Sequence, residues 1–186
     1  MLYARLNAFL ATSLSFINDI ADICEVVGAD INDVEKALRS DPRIGEKAYL
    51  SPSLGFSGGT LGRDLMALVK IGEEKKTKIP VISNVFLKNQ ERKNLVIERL
   101  EADLGSLVNK TLAIFGLTYK PGTRTLRRSQ ALDVAFLLAK EGVPDATIRQ
   151  LPLVGISSIC NVLAAIKTAK MFEMDGRDVI FTPLTD

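Results

Sequence analysis

Histidine and tryptophan are absent from this chain of 186 residues, and cysteine occurs only twice. Without histidine there can be no Ser–His–Asp triad, no imidazole metal ligand and no histidine general base. Cys24 and Cys160 lie far apart in apolar helical contexts, with no CxxC spacing. They read as two buried thiols in a reducing cytoplasm, and no metal site is expected. No window approaches the roughly 20 continuous apolar residues that a membrane span needs. The first residues mix Tyr3, Arg5 and Asn7 into a helical pattern and carry no cleavage site. A cytoplasmic protein is expected. The formal net charge of +2 is too small to argue for a nucleic acid or a membrane as partner.

Hydrophobic residues make up 47% of the chain. A chain of about 150 residues buries roughly 68–70% of its unfolded surface, so a true core is within reach, as one domain or two small ones. Apolar residues recur at helical spacing from Leu2 to Val27: Leu6, Phe9, Leu10, Leu14, Phe16, Ile17, Ile20, Ile23 and Val27. Gly28 ends that helix. Asp30 caps a second over 31–39, which Ser40-Asp41-Pro42 stops, because proline disfavours helix in the residue before it. A long loop over 43–59 follows, and loops of that length in compact domains are usually functional or disordered. Thr60 is the expected cap of a helix from Leu61 to Glu74. A further helix over 81–104 is anchored by Val85, Leu87, Val96, Ile97 and Leu100.

The pattern changes at Asn109. Residues 110–116 form a short apolar run ending in glycine, which suits a buried parallel strand. A helix over 129–141 follows, then a second strand over 147–151, helices around 157–169 and a third strand over 178–182. Strand–helix–strand alternation implies a small parallel α/β sheet. Its last strand falls so near the final residue that a sheet cut short is expected.

Three constellations carry chemistry. Gly55-Phe56-Ser57-Gly58-Gly59-Thr60-Leu61-Gly62-Arg63-Asp64 puts four glycines within eight residues around a helix start, where backbone can approach a ligand and free N–H groups attract an anion. A plain flexible connector has the same composition. Residues 116–129 lie between a strand end and a helix start, where open α/β sheets bind ligands. Their Lys120, Arg124, Arg127 and Arg128 suit a phosphorylated small molecule, though a solvated basic loop would look alike. In the first helix, Asn7 and Asp19 interrupt an apolar surface, either bonding a neighbour or lining a site.

Together these segments resemble the UDP-glucose and GDP-mannose 6-dehydrogenases. The match runs through Asn7-Ala8-Phe9-Leu10-Ala11-Thr12 with Ser15-Phe16-Ile17-Asn18-Asp19-Ile20 and through Gly28-Ala29-Asp30 to Asp41-Pro42-Arg43-Ile44-Gly45. It continues through residues 55–64 and from Gly116-Leu117-Thr118-Tyr119-Lys120-Pro121 to Arg127. The order and spacing of the four segments also fit.

The resemblance implies an α plus α/β fold. An all-helical dimerisation domain over 1–105, like the carboxy-terminal domain of 6-phosphogluconate dehydrogenase, precedes a small Rossmann-like nucleotide-sugar-binding domain over 106–186. The family's amino-terminal NAD-binding domain is expected to be absent. The family oxidises a sugar's primary alcohol to a carboxylate in two NAD-dependent hydride transfers, and a cysteine captures the aldehyde between them. By the same resemblance, Asp64 assists water and proton transfer, and Asn7 steadies the oxyanion. Arg43 reaches the sugar across a homodimer, Tyr49 and Leu50 grip the nucleotide, and Gly55, Phe56, Gly58 and Gly59 wall the sugar pocket. Lys120 and Arg127 match basic positions near the phosphates.

The chain also departs from the family. Thr60 stands at the nucleophilic cysteine, Tyr3 at the catalytic lysine, Gly62 at a usual proline, and Arg124 and Thr125 at two acidic positions. An alcohol, unlike a thiol, needs an adjacent base to become a nucleophile. The chain alone is therefore expected to be inactive. It reads either as part of a larger dehydrogenase or as a non-catalytic paralogue that binds nucleotide sugar or dimerises.

Overall fold

A computed structural model describes residues 2–57, 59–110, 112–114, 116–119, 124–126, 128–143 and 179–181. Contacts divide the chain into two compact units, 1–90 and 91–186, so the division falls within a helix. The composition changes only after that helix ends.

In the first unit, α1 (Leu2–Val27) ends at Gly28, whose φ of +71° is left-handed backbone that suits glycine. The Asp30 side chain accepts the Asn32 N–H at 2.8 Å and caps α2 (Ile31–Ser40). Asp41 then turns extended (φ −76°, ψ 122°), as a residue before proline must. An irregular loop leads to α3 (Leu61–Glu74), and α4 (Pro80–Leu104) starts on a proline, whose missing N–H loses nothing there.

Helix α1 packs on α3 and on α2. Its buried stripe is Ala8, Ala11, Leu14 and Ile17, spaced by three, and it meets Leu65 of α3, Val85 of α4, and Leu50 and Phe56 of the loop. The small Ala8 and Ala11 allow close helix approach. Leu10 and Ile20 are half-buried beside it, but much of the apolar pattern of α1 is not covered. Tyr3, Leu6, Phe9, Phe16, Ile23, Val26 and Val27 are exposed, as is Leu87 of α4, which the spacing takes as an anchor. A helix apolar on several faces does not reveal which face the fold covers.

In the second unit, Val96, Ile97 and Leu100 of α4 are buried. Lys93 pairs with Asp133 of α5 (Gln130–Lys140) at 2.6 Å, and Ser129 caps α5 through the Leu132 N–H. Strand β1 (Leu112–Ile114) pairs in parallel with β2 (Val179–Phe181) in the register Leu112–Val179, Ala113–Ile180, Ile114–Phe181. The expected strand over 147–151 and helices over 157–169 lie outside the described residues, as does Cys160. Cys24 is buried and free.

Two glycines of α3 have opposite expected effects on stability. At Gly62 a Cβ would meet only the Phe56 ring, at 3.9 Å. Gly62→Ala should raise stability by about 0.5–1 kcal/mol by restricting the unfolded chain and favouring helix. At Gly72 a Cβ would lie 3.0 Å from the Thr77 carbonyl oxygen and 3.0 Å from Ile79. Gly72→Ala should lower stability by about 1–3 kcal/mol, as overpacking does. Urea midpoints read both, and shifts of the same sign would refute the packing account.

Candidate functional site

The first turn of α3 brings the site together. Asp64 is one helical turn beyond Thr60, and its N–H donates to the Thr60 carbonyl at 3.0 Å. The Asp64 carboxylate is almost buried and is held on both oxygens. Asn7 of α1 donates its Nδ2 to Oδ2 at 2.7 Å, and Arg63 donates its Nε to Oδ1 at 3.0 Å. These donors, Asn7 first and Arg63 second, hold the Asp64 carboxyl below the usual carboxylate range, while burial opposes them. A negative charge in the first turn also complements the helix dipole.

Thr60 does not do what its residue type suggests. Its side chain makes no capping hydrogen bond. A capping side chain requires extended backbone, and Thr60 is already helical (φ −96°, ψ −60°), so its hydroxyl is not aimed at the following amides. Thr60 is exposed.

Residues 3–91 match the model of the UDP-glucose/GDP-mannose dehydrogenase family, central domain. UDP-glucose 6-dehydrogenase YwqF of Bacillus subtilis is 35% identical over 97% of this chain and 40% of its own length. The chain belongs to the UDP-glucose/GDP-mannose dehydrogenase family. UDP-glucose 6-dehydrogenase TuaD of Bacillus subtilis is 38% identical over 73% of this chain and 29% of its own length. The structure of a UDP-glucose dehydrogenase from the hyperthermophilic archaeon Pyrobaculum islandicum superposes with a TM-score of 0.73 at 30% identity, over 76% of this chain and 33% of that one. The chain thus spans two-fifths or less of the length of these family members.

The other residues picked out by the family resemblance fall in several surroundings. Gly55 has φ +118°, a conformation that disfavours any side chain, and leads into the buried Phe56. Gly59 is exposed just before Thr60. Leu50 points into the core with its side chain, whereas Tyr49 is exposed. Arg43 is turned onto Asp41, donating Nε at 3.0 Å and Nη2 at 2.6 Å, with most of its side chain in solvent. That fork holds the Asp41 carboxyl low and the Arg43 guanidinium high. Gly58, Lys120 and Arg127 lie outside the described residues. Among the described residues, no group of three or more Cys, Asp or Glu could hold a metal ion, and no helix is long and apolar enough to cross a membrane.

Several residues of the neighbourhood escape sequence reasoning. Asn18 accepts the Ser53 N–H, and Asn89 bonds both polar groups of Phe56. Glu35, Arg39 and Ser51 form a ring that ties the loop to α2: Arg39 to Glu35 at 2.6 Å, Arg39 to Ser51 at 3.1 Å, and Ser51 to Glu35 at 3.2 Å. Asn18 lies within the family-like run from Ser15 to Ile20, but nothing in the sequence points to its partner.

Proposed function

We propose that the chain is the central and carboxy-terminal portion of an NAD-dependent nucleotide-sugar 6-dehydrogenase, and that it binds a UDP-linked sugar beside Asn7 and Asp64. The observation that carries this reading is the 2.7 Å bond between Asn7 and Asp64. It joins two of the family-like segments, on different helices, at one carboxylate. The choice of UDP over GDP follows the relatives, which are named for UDP-glucose. Arg43, Tyr49, Leu50, the 55–59 backbone, Lys120 and Arg127 serve as the substrate-binding set. The 1–105 segment is the helical dimerisation domain and the 106–186 segment the Rossmann-like one, for which parallel β1 and β2 give support. A homodimer through α1 is supported by its exposed Tyr3, Leu6, Phe9 and Phe16, since monomers seldom leave so many apolar side chains together in water.

A second reading concerns chemistry, and Thr60 favours it. The family's route needs a nucleophile that ionises, as a thiol does near pH ~8.5. A threonine hydroxyl needs a neighbouring base, and Asp64 is poorly suited to that task. Both its oxygens accept hydrogen bonds, and its carboxyl is held low by Asn7 and Arg63. Tyr3, at the family's lysine position, is largely exposed and carries no positive charge to steady an oxyanion. NAD supplies the hydride acceptor in the family. The chain by itself therefore binds nucleotide sugar without oxidising it.

The test combines a thermal melt with a turnover assay. A ligand at a hundred times its Kd adds about 2.7 kcal/mol to the folded state. At ~2–4 °C per kcal/mol for a chain of this size, UDP-glucose should raise Tm by about 5–10 °C. No NADH should form with UDP-glucose and NAD. An unmoved melt overturns binding, and NADH formation by this chain overturns the non-catalytic reading.

A further inference from the structure

The described residues of the loop between α2 and α3 form no helix or strand, yet two buried asparagines fix its backbone. Asn18 of α1 is 2% exposed, and its Oδ1 accepts the Ser53 N–H at 2.8 Å. Asn89 of α4 is 6% exposed. Its Oδ1 accepts the Phe56 N–H at 2.8 Å and its Nδ2 donates to the Phe56 carbonyl at 3.1 Å. A side-chain amide thus meets Phe56 as a neighbouring strand would, through both of its polar backbone groups. The Phe56 side chain is buried, and its ring approaches the first turn of α3 at Gly62. Between the two fixed points, Gly55 takes the left-handed φ of +118°. The direction of the backbone over 53–56 is therefore set from α1 and α4 independently.

Packing alone does not call for these residues. An apolar side chain of similar size would fill the same space in a core, but it would leave the Ser53 N–H, or both polar groups of Phe56, without the partner that the amide supplies. What the amides add is direction, because they accept and donate along fixed axes to particular backbone atoms. The loop they fix leads directly into Thr60 and Asp64.

We infer that Asn18 and Asn89 are positioning residues that hold the 53–56 backbone as one wall of the nucleotide-sugar pocket. The inference rests on the binding reading above. It extends the site from the first turn of α3 to two residues on other helices.

Calorimetric titration of UDP-glucose into the full chain and its variants tests this, at a temperature where circular dichroism shows every protein folded. Asn18→Ala and Asn89→Ala should each bind at least about tenfold more weakly, because the ligand must then order a wall that is no longer held in place. Gly72→Ala serves as the stability control, because it strains α3 near Thr77 and Ile79. It should melt lower and bind like the unsubstituted chain. Amide hydrogen exchange should quicken at Ser53 in the first variant and at Phe56 in the second. If Asn89→Ala does not fold, Asn89→Asp replaces it, since it keeps the acceptor and loses the donor. Unchanged binding by the asparagine variants overturns the inference, as does equal weakening by Gly72→Ala, which would trace the effect to stability. Absence of binding by the unsubstituted chain overturns the binding reading itself, and the inference with it.

Discussion

Leu65→Ala is expected to destabilise the first unit by about 3 kcal/mol, within the range of about 2–5 kcal/mol for truncating a buried leucine. Leu65 is fully buried and meets the α1 stripe beside Ala8, Ala11 and Leu14. Its neighbour Asp64 faces Asn7, so the same packing that buries Leu65 delivers the carboxylate to α1. Truncation leaves a cavity that rigid helices close only in part. Urea unfolding followed by circular dichroism reads the loss. Met66→Ala, one position on and exposed, should change stability by less than about 0.5 kcal/mol. Equal losses at the two positions would show that α3 does not pack as described.

Acid is expected to remove the stabilisation that Asp64 contributes. Its folded pKa is depressed, chiefly by the Asn7 hydrogen bond and then by Arg63. A depressed carboxylate stabilises the folded state fully above its unfolded pKa, near ~3.9 for aspartate. That contribution is lost as pH falls through the folded value, which lies lower still. The stability difference between the unsubstituted chain and Asp64→Asn should therefore stay constant from about pH 7 to about pH 5 and shrink below about pH 4. Asp41 is also held low, by Arg43, but it is common to both proteins and cancels in the difference. A difference that grows on acidification would contradict the Asn7–Asp64–Arg63 arrangement.

Much of the helical half was legible in the sequence, because its boundaries are written in local chemistry. Gly28, the cap at Asp30, the Asp41-Pro42 step and Pro80 act within a few residues of themselves, and the helices begin or end there. What depended on distant partners was not legible. The apolar residues of α1 run round much of the helix, so spacing could not separate Leu14 and Ile17, which are buried, from Phe9 and Phe16, which are exposed. Asn7 and Asp64 are 57 residues apart, and only the family resemblance linked them. Asn18 and Asn89 bond backbone atoms of the loop 35 and 33 residues away, and a backbone amide leaves no mark on residue type. Thr60 misled for a related reason, since its preference for caps holds only when its backbone is extended.

The measurement that tests the central claim most directly is calorimetric titration of UDP-glucose into the chain and into Asp64→Ala. The account predicts saturable, one-site binding to the first and much weaker binding to the second. Equal binding by both would place the ligand away from Asn7 and Asp64 and contradict the account.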